Sequence, residues 1–158
     1  MRILFKSSLL FIFIITSGPL SAQQIQSPKT DVYQDGVILF EKGFFEESLN
    51  KLTQFKKNNT NSELSIFVDY YIARSKTGID STGIEYYYQS FIRDYPKHDL
   101  SKILLKDLGH RFSKNGNYED AITYYQESLK TYNSIATAAE TEYWVAEAAV
   151  EKEIILRQ

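Results

Sequence analysis

The sequence has no cysteine, which excludes disulfides, thiolate metal sites, cysteine nucleophiles and a lipid-bearing cysteine behind a leader. Methionine and tryptophan occur once each and histidine twice. His98 and His110 stand twelve residues apart, whereas metal ligands sharing a helix recur at i, i+3 or i+4 beside an acidic or histidine partner. They read as structural or surface histidines, and neither a metal nor any other cofactor is expected. Lys and Arg form no block, and 18 of them face 20 acidic residues, so no footprint for nucleic acid or anionic lipid is present. Glycines occur singly, and nothing matches G-x-x-x-x-G-K-[ST], G-x-G-x-x-G or G-x-S-x-G. The carboxylate pairs Glu46-Glu47 and Glu119-Asp120 fall at predicted helix starts, where negative charge complements the helix dipole. A catalytic pair would instead need a raised pKa in a cleft. No constellation for catalysis emerges, and the chain is expected not to be an enzyme.

Residues 1–22 are set apart. Arg2 and Lys6 begin them, Leu9 to Ile15 form an apolar run, and Gly18-Pro19-Leu20-Ser21-Ala22 close on small residues. That order predicts a secretory signal peptide cleaved after Ala22. The alternative, a retained membrane anchor, needs about 20 apolar residues, and this run is shorter. Losing Arg2 and Lys6 leaves 16 basic against 20 acidic residues, a net charge of −4 for the exported chain. Export without disulfides fits a bacterial periplasm or outer surface, the localisation expected here. Residues 23–29 are polar, hold Pro28 and lack periodicity, which predicts a flexible lead-in.

With 158 residues the chain is one domain's worth, and its 12 tyrosines and 10 phenylalanines supply the bulk for a core. Leu105 to Tyr132 reads as two helices folded back on each other. Leu105, Leu108, Gly109 and Phe112 make one apolar stripe, and Tyr118, Ala121, Ile122, Tyr125 and Leu129 make a second. Asn115-Gly116-Asn117 breaks the pattern between them. The same design recurs upstream. Gly36 matches Gly109, Leu39 matches Phe112, Gly43 matches Gly116, Phe45 matches Tyr118, and Ser48 matches Ala121, at a constant offset of 73. Thr30 or Asp31 is the expected N-cap of the first helix. Two periods imply a copy in between: Asn61 or Ser62 as cap, a helix through Leu64, Phe67, Tyr71 and Ala73, a turn over Thr77–Ser81, and a second helix over Thr82–Tyr95 stopped by Pro96. Counting forward from Ala73 and backward from Pro96 disagrees by one residue, so its turn is expected to be one residue short. Asn133-Ser134 would cap a last helix over Ile135–Gln158. The tyrosine runs invite comparison with base-stacking platforms, but consecutive helical residues point about 100° apart. They are expected to fill the core, with outlying rings left at the surface.

Small residues at matched places in helical hairpins of this period resemble the tetratricopeptide repeat, a helix–turn–helix unit that stacks into a solenoid. The resemblance covers about residues 30–153 and implies an all-α right-handed α-solenoid of three hairpins (30–60, 61–97, 98–133) plus a partial fourth (134–158). It also implies a concave groove lined by the first helix of each hairpin. The family's groove positions fall on Tyr33, Val37 and Phe40, on Tyr70 and Arg74, on Lys106, His110 and Lys114, and on Tyr143 and Glu147. Aromatic and apolar at one end, basic in the middle and acidic at the other, this set suits an extended peptide or a partner helix. The Lys and Asn clamp of the chaperone-tail binders is missing, since Val37 and His110 stand where it wants Asn. The expected function is a non-enzymatic scaffold that binds an envelope protein, without contact to nucleic acid. Two other readings stay open: the N-terminal part of a larger repeat protein, and a glycan-binding exported helical protein. Ile154, Ile155 and Leu156 near the end admit packing on the third hairpin, contact with another chain (self-association included), or continuation into a longer protein.

Overall fold

The computed structural model describes residues 28–130 and 135–157. The expected leader and the Asn133-Ser134 cap lie outside them. Among the described residues the chain is all-α, with seven helices: α1 (Pro28–Glu41), α2 (Phe45–Asn58), α3 (Ser65–Ile79), α4 (Ile84–Asp94), α5 (Asp99–Lys114), α6 (Tyr118–Leu129) and α7 (Ile135–Leu156). Helices adjacent in sequence pack against one another. None is long and apolar enough to cross a membrane.

Two turns follow directly from glycine. Gly43 and Gly116 adopt φ of 80° and 77°, a region closed to most residues with a Cβ. Each closes a Schellman motif: Phe44 N–H donates to the Leu39 carbonyl and Asn117 N–H to the Phe112 carbonyl, both at 2.9 Å. The chain therefore reverses at once, and α2 and α6 start within two residues of their glycine. Glu46 and Glu47, and Glu119 and Asp120, do occupy the first turns of these helices, where they complement the dipole.

Elsewhere the structure corrects the sequence reading. Helix α1 begins at Pro28, so neither Thr30 nor Asp31 precedes it; a proline in the first turn forfeits no intrahelical bond. Helix α3 begins at Ser65 with Leu64 before it and no side-chain cap. Ser62 acts one turn earlier, its Oγ accepting from Leu64 N–H at 3.2 Å, and Asn61 is not the cap either. Helix α3 then runs on to Ile79, into the turn assigned to Thr77–Ser81. Asp80 follows it, accepting from Thr82 N–H at 3.0 Å and from the Thr82 hydroxyl at 2.6 Å, which nucleates a 3-10 turn over Ser81–Gly83. Helix α4 starts only at Ile84. The middle connection is thus longer, not shorter: Gly36 stands nine residues before Phe45 and Gly109 nine before Tyr118, but Ala73 stands eleven before Ile84.

Packing follows the small residues. A Cβ on Gly36 would come within 2.8 Å of the Leu52 side chain, and one on Gly109 would overlap the Tyr125 ring. Helix α2 also meets α3, where Gly78 leaves room for the Phe45 ring. Leu52, Phe55 and Val68 close the core between α2 and α3. Tyr88, Phe91 and Ile92 of α4 pack with Tyr70, Ala73, Leu104, Leu105 and Leu108 between α3 and α5. Ala121 and Tyr125 of α6 close on Ala148 of α7. Burying each large side chain contributes about 1.5–3 kcal/mol. The tyrosine runs behave as expected: Tyr88, Tyr124 and Tyr125 are buried while Tyr86 is 76% exposed.

Candidate functional site

Four helices, α1, α3, α5 and α7, carry the side chains assigned to a groove. The structure joins them through one band of contacts. It begins on α1, where the Phe40 ring meets Phe45 (5.6 Å between centroids) and stands edge-on to Tyr71 of α3 (5.3 Å). Arg74, also on α3, places its guanidinium 4.9 Å from the Phe40 centroid and 5.4 Å from that of Tyr70. Its Nη1 donates to the Tyr70 hydroxyl at 3.0 Å. Burial works against the charge of Arg74, but Tyr70, Tyr88 and Asp107 outweigh it and its pKa rises. The guanidinium lies against two rings and stays cationic, a surface suited to aromatic or anionic groups.

Helix α5 continues the band. A cleft of about 210 Å³ lies between Tyr70 and Arg74 on one side and Ile103, Leu104, Lys106, Asp107 and His110 on the other. Lys106 Nζ reaches Glu140 of α7 at 3.1 Å, and Lys106 holds that carboxylate below its usual range. His110 Nδ1 lies 2.8 Å from the Tyr125 hydroxyl, and its ring stands edge-on to Trp144 of α7 at 4.8 Å. Burial, then Lys106, lowers the His110 pKa. Burial raises that of Tyr125 to about 12, so at neutral pH a protonated phenol meets an uncharged imidazole. Trp144 Nε1–H is buried without a hydrogen-bond partner and lies close enough to Glu140 to help lower its pKa.

The structure sets Arg74 against Phe40 and places Arg74, Lys106 and His110 around one cleft. Tyr70 lines the cleft beside Arg74 but is mostly a core residue, 6% exposed and packed on Phe91 at 6.0 Å between centroids. The ring that faces α1 is its neighbour Tyr71. Tyr33 is half-buried against Phe55 at 5.8 Å, and Val37 is half-buried on the next turn of α1. Lys114 is exposed at the last residue of α5. Tyr143 is exposed and stands edge-on to Trp144 at 5.2 Å, and Glu147 lies beside it on the exposed side of α7. Sequence reasoning missed Ile103, Asp107 and Glu140. Ile103, Lys106 and His110 follow i, i+3, i+7, so that stripe was available to find.

No family model matches the chain, and no curated protein matches it.

Other polar clusters are self-contained. His98, far from His110, accepts from Leu100 N–H at 3.1 Å as the N-cap of α5. A second cleft of about 180 Å³ on α2, α3 and α4 has its carboxylates engaged internally: Asp69 accepts from Lys56 at 2.6 Å and from Tyr95 at 2.8 Å, and Asp94 pairs with Arg93 at 3.6 Å. Among the described residues no group of three His, Asp or Glu is placed to hold a metal ion.

Proposed function

We propose that this protein is a non-enzymatic scaffold of the bacterial envelope that holds a segment of a partner protein along the band. Its hairpins stack as a right-handed tetratricopeptide-like solenoid, and the first helices line the concave side. One observation carries this reading: the contacts from Phe40 through Arg74 and the α3–α5 cleft to Lys106–Glu140 and His110–Trp144 link four helices that are not consecutive in sequence. Such a band offers an aromatic ring, a stacked guanidinium, an ammonium and a polarised imidazole in a row. An extended peptide or helix with alternating apolar and acidic side chains is the ligand that uses all of them. Export to the periplasm is supported by the order of charge, apolar run and small residues in 1–22.

The test is capture of proteins from the native envelope by the full chain, compared with the double variant Phe40→Ala, Arg74→Glu. Loss of the captured protein, with unchanged helical circular dichroism, is the expected result. Capture unchanged by the double variant overturns the groove.

A further inference from the structure

We infer that the exposed face of α7 is a docking surface for an amphipathic helix of another protein, one whose apolar stripe is flanked by Lys and Arg. Helix α7 is apolar on two opposite sides. Thr141 and Ala148 are buried, with Trp144 and Val145 packed beside Ala148 against α6. Half a turn away, Tyr143, Ala146, Val150 and Ile154 recur at i, i+3, i+7, i+11, and the three large ones are 60%, 57% and 45% exposed. A second apolar stripe opposite the first is a face with apolar area left to bury.

The position of Ala146 says what kind of object covers it. Gly36, Ala73, Gly109 and Ala146 follow one another at intervals of 37, 36 and 37 residues. The first three are buried, and the two glycines each seat a large side chain of a neighbouring helix, Leu52 and Tyr125. Ala146 is exposed. It repeats the small seat without the knob, beside an open hollow of about 410 Å³ lined by Ala149, Val150, Glu153, Ile154 and Arg157. By the precedent of α2 and α6, the occupant is a helix that sets a Leu or an aromatic ring on Ala146.

Charge selects among helices. At about 100° per residue, Glu147 and Glu151 border the stripe on one side, and Glu142 and Glu153 on the other. The nearby basic residues are engaged: Lys152 pairs with Glu119 at 3.6 Å and Arg157 with Glu153 at 3.7 Å. Glu142, Glu147 and Glu151 form no ion pair among the described residues. Two copies of this face brought together would set carboxylates against carboxylates, which opposes a homodimer here. A helix with Lys or Arg flanks matches both rims.

The inference does not rest on the groove, although the two surfaces adjoin at Tyr143 and Glu147. Its test uses two synthetic 18-residue helical peptides with the same Leu stripe, one with Lys flanks and one with Glu flanks. Each is titrated into the full chain by fluorescence anisotropy. Binding of the Lys-flanked peptide is expected, with at least about tenfold weakening by Val150→Asp or Ile154→Asp. The pair Glu147→Lys, Glu151→Lys should reverse the preference between peptides. All four sites are exposed, so folding is not at issue. Equal affinity for both peptides, or affinity indifferent to Val150→Asp, overturns the inference. So does a dimer in sedimentation that Val150→Asp dissociates, or a longer natural chain whose next helix covers Ala146. Groove capture that fails while the peptide result holds would sink only the function proposed above.

Discussion

The Ser48 hydroxyl donates to the Gly36 carbonyl at 2.8 Å, and its oxygen lies 3.1 Å from Ser75 Oγ. One side chain of α2 thereby ties α1 to α3, at a point where both serines are fully buried. With its own hydrogen committed to Gly36, Ser48 can only accept from Ser75. Ser48→Ala should therefore lower stability by about 0.5–1.5 kcal/mol, since it leaves the Ser75 hydroxyl without its acceptor. Ser48→Val should cost about 1–3 kcal/mol through overpacking. Urea denaturation of the two variants checks the order, and a Val variant as stable as Ala would refute the close contact.

Glycine inside an exposed helix is normally about 1 kcal/mol worse than alanine. Gly36 and Gly109 should behave in the opposite sense. The new methyl would press on Leu52 in one case and on the fully buried Tyr125 ring in the other. Gly109→Ala should be the more damaging, by about 1–3 kcal/mol, because a ring cannot yield as a Leu terminus can. Thermal unfolding reads the sign directly. A rise in Tm for Gly109→Ala would mean that α5 and α6 are further apart than described.

The first and third hairpins were legible because small and large residues alternate there at fixed spacing around a glycine turn. Gly36 with Leu52, and Gly109 with Tyr125, are the physical content of that spacing. The middle hairpin was not. Asp80 starts a 3-10 turn that no hydrophobic period reports, and the buried position of α4 is filled by Tyr88 rather than by a small residue. The site suffered from the same shift. Tyr70 and Tyr71 are adjacent, and only packing decides which ring enters the core and which meets Phe40. On α7 the buried and exposed faces are both apolar, so periodicity alone could not tell the side that faces α6 from the side that faces outward.

Tyr88 offers a measure of how the cleft is supported. Its hydroxyl donates to Asp107 at 2.8 Å, and burial, opposed in part by a bond with Thr77, raises its pKa to about 12. It therefore remains a donor throughout the neutral range. Tyr88→Phe should cost about 1 kcal/mol, leaving Asp107 with Arg111 at 3.8 Å. Tyr88→Ala should cost about 3–5 kcal/mol by opening a cavity between α3 and α5. Both should shift the urea midpoint without changing its slope. Equal losses for Phe and Ala would show that the ring is not the packing element.

His110 makes stability depend on pH in a window that carboxylates leave quiet. Its pKa is lowered by burial and by Lys106 below the ordinary 6.5. The unfolded chain therefore binds the proton more readily than the folded one, and the linkage relation makes stability rise with pH between the two values. The contribution is complete above about pH 6.5 and is lost as pH falls through that value towards the folded pKa. The local cause is visible: the ring is packed against Tyr125 and Trp144 with Lys106 nearby, so an added proton would be poorly solvated beside a like charge. Tm measured at about pH 7.5, 6.5 and 5.5 should fall across this range in the native protein. In His110→Gln the curve should start lower and run flatter over the same interval. His98 is present in both proteins and cancels in the comparison. Parallel curves would mean that His110 is as free to protonate in the folded state as in the unfolded one, and would remove the neutral imidazole from the band.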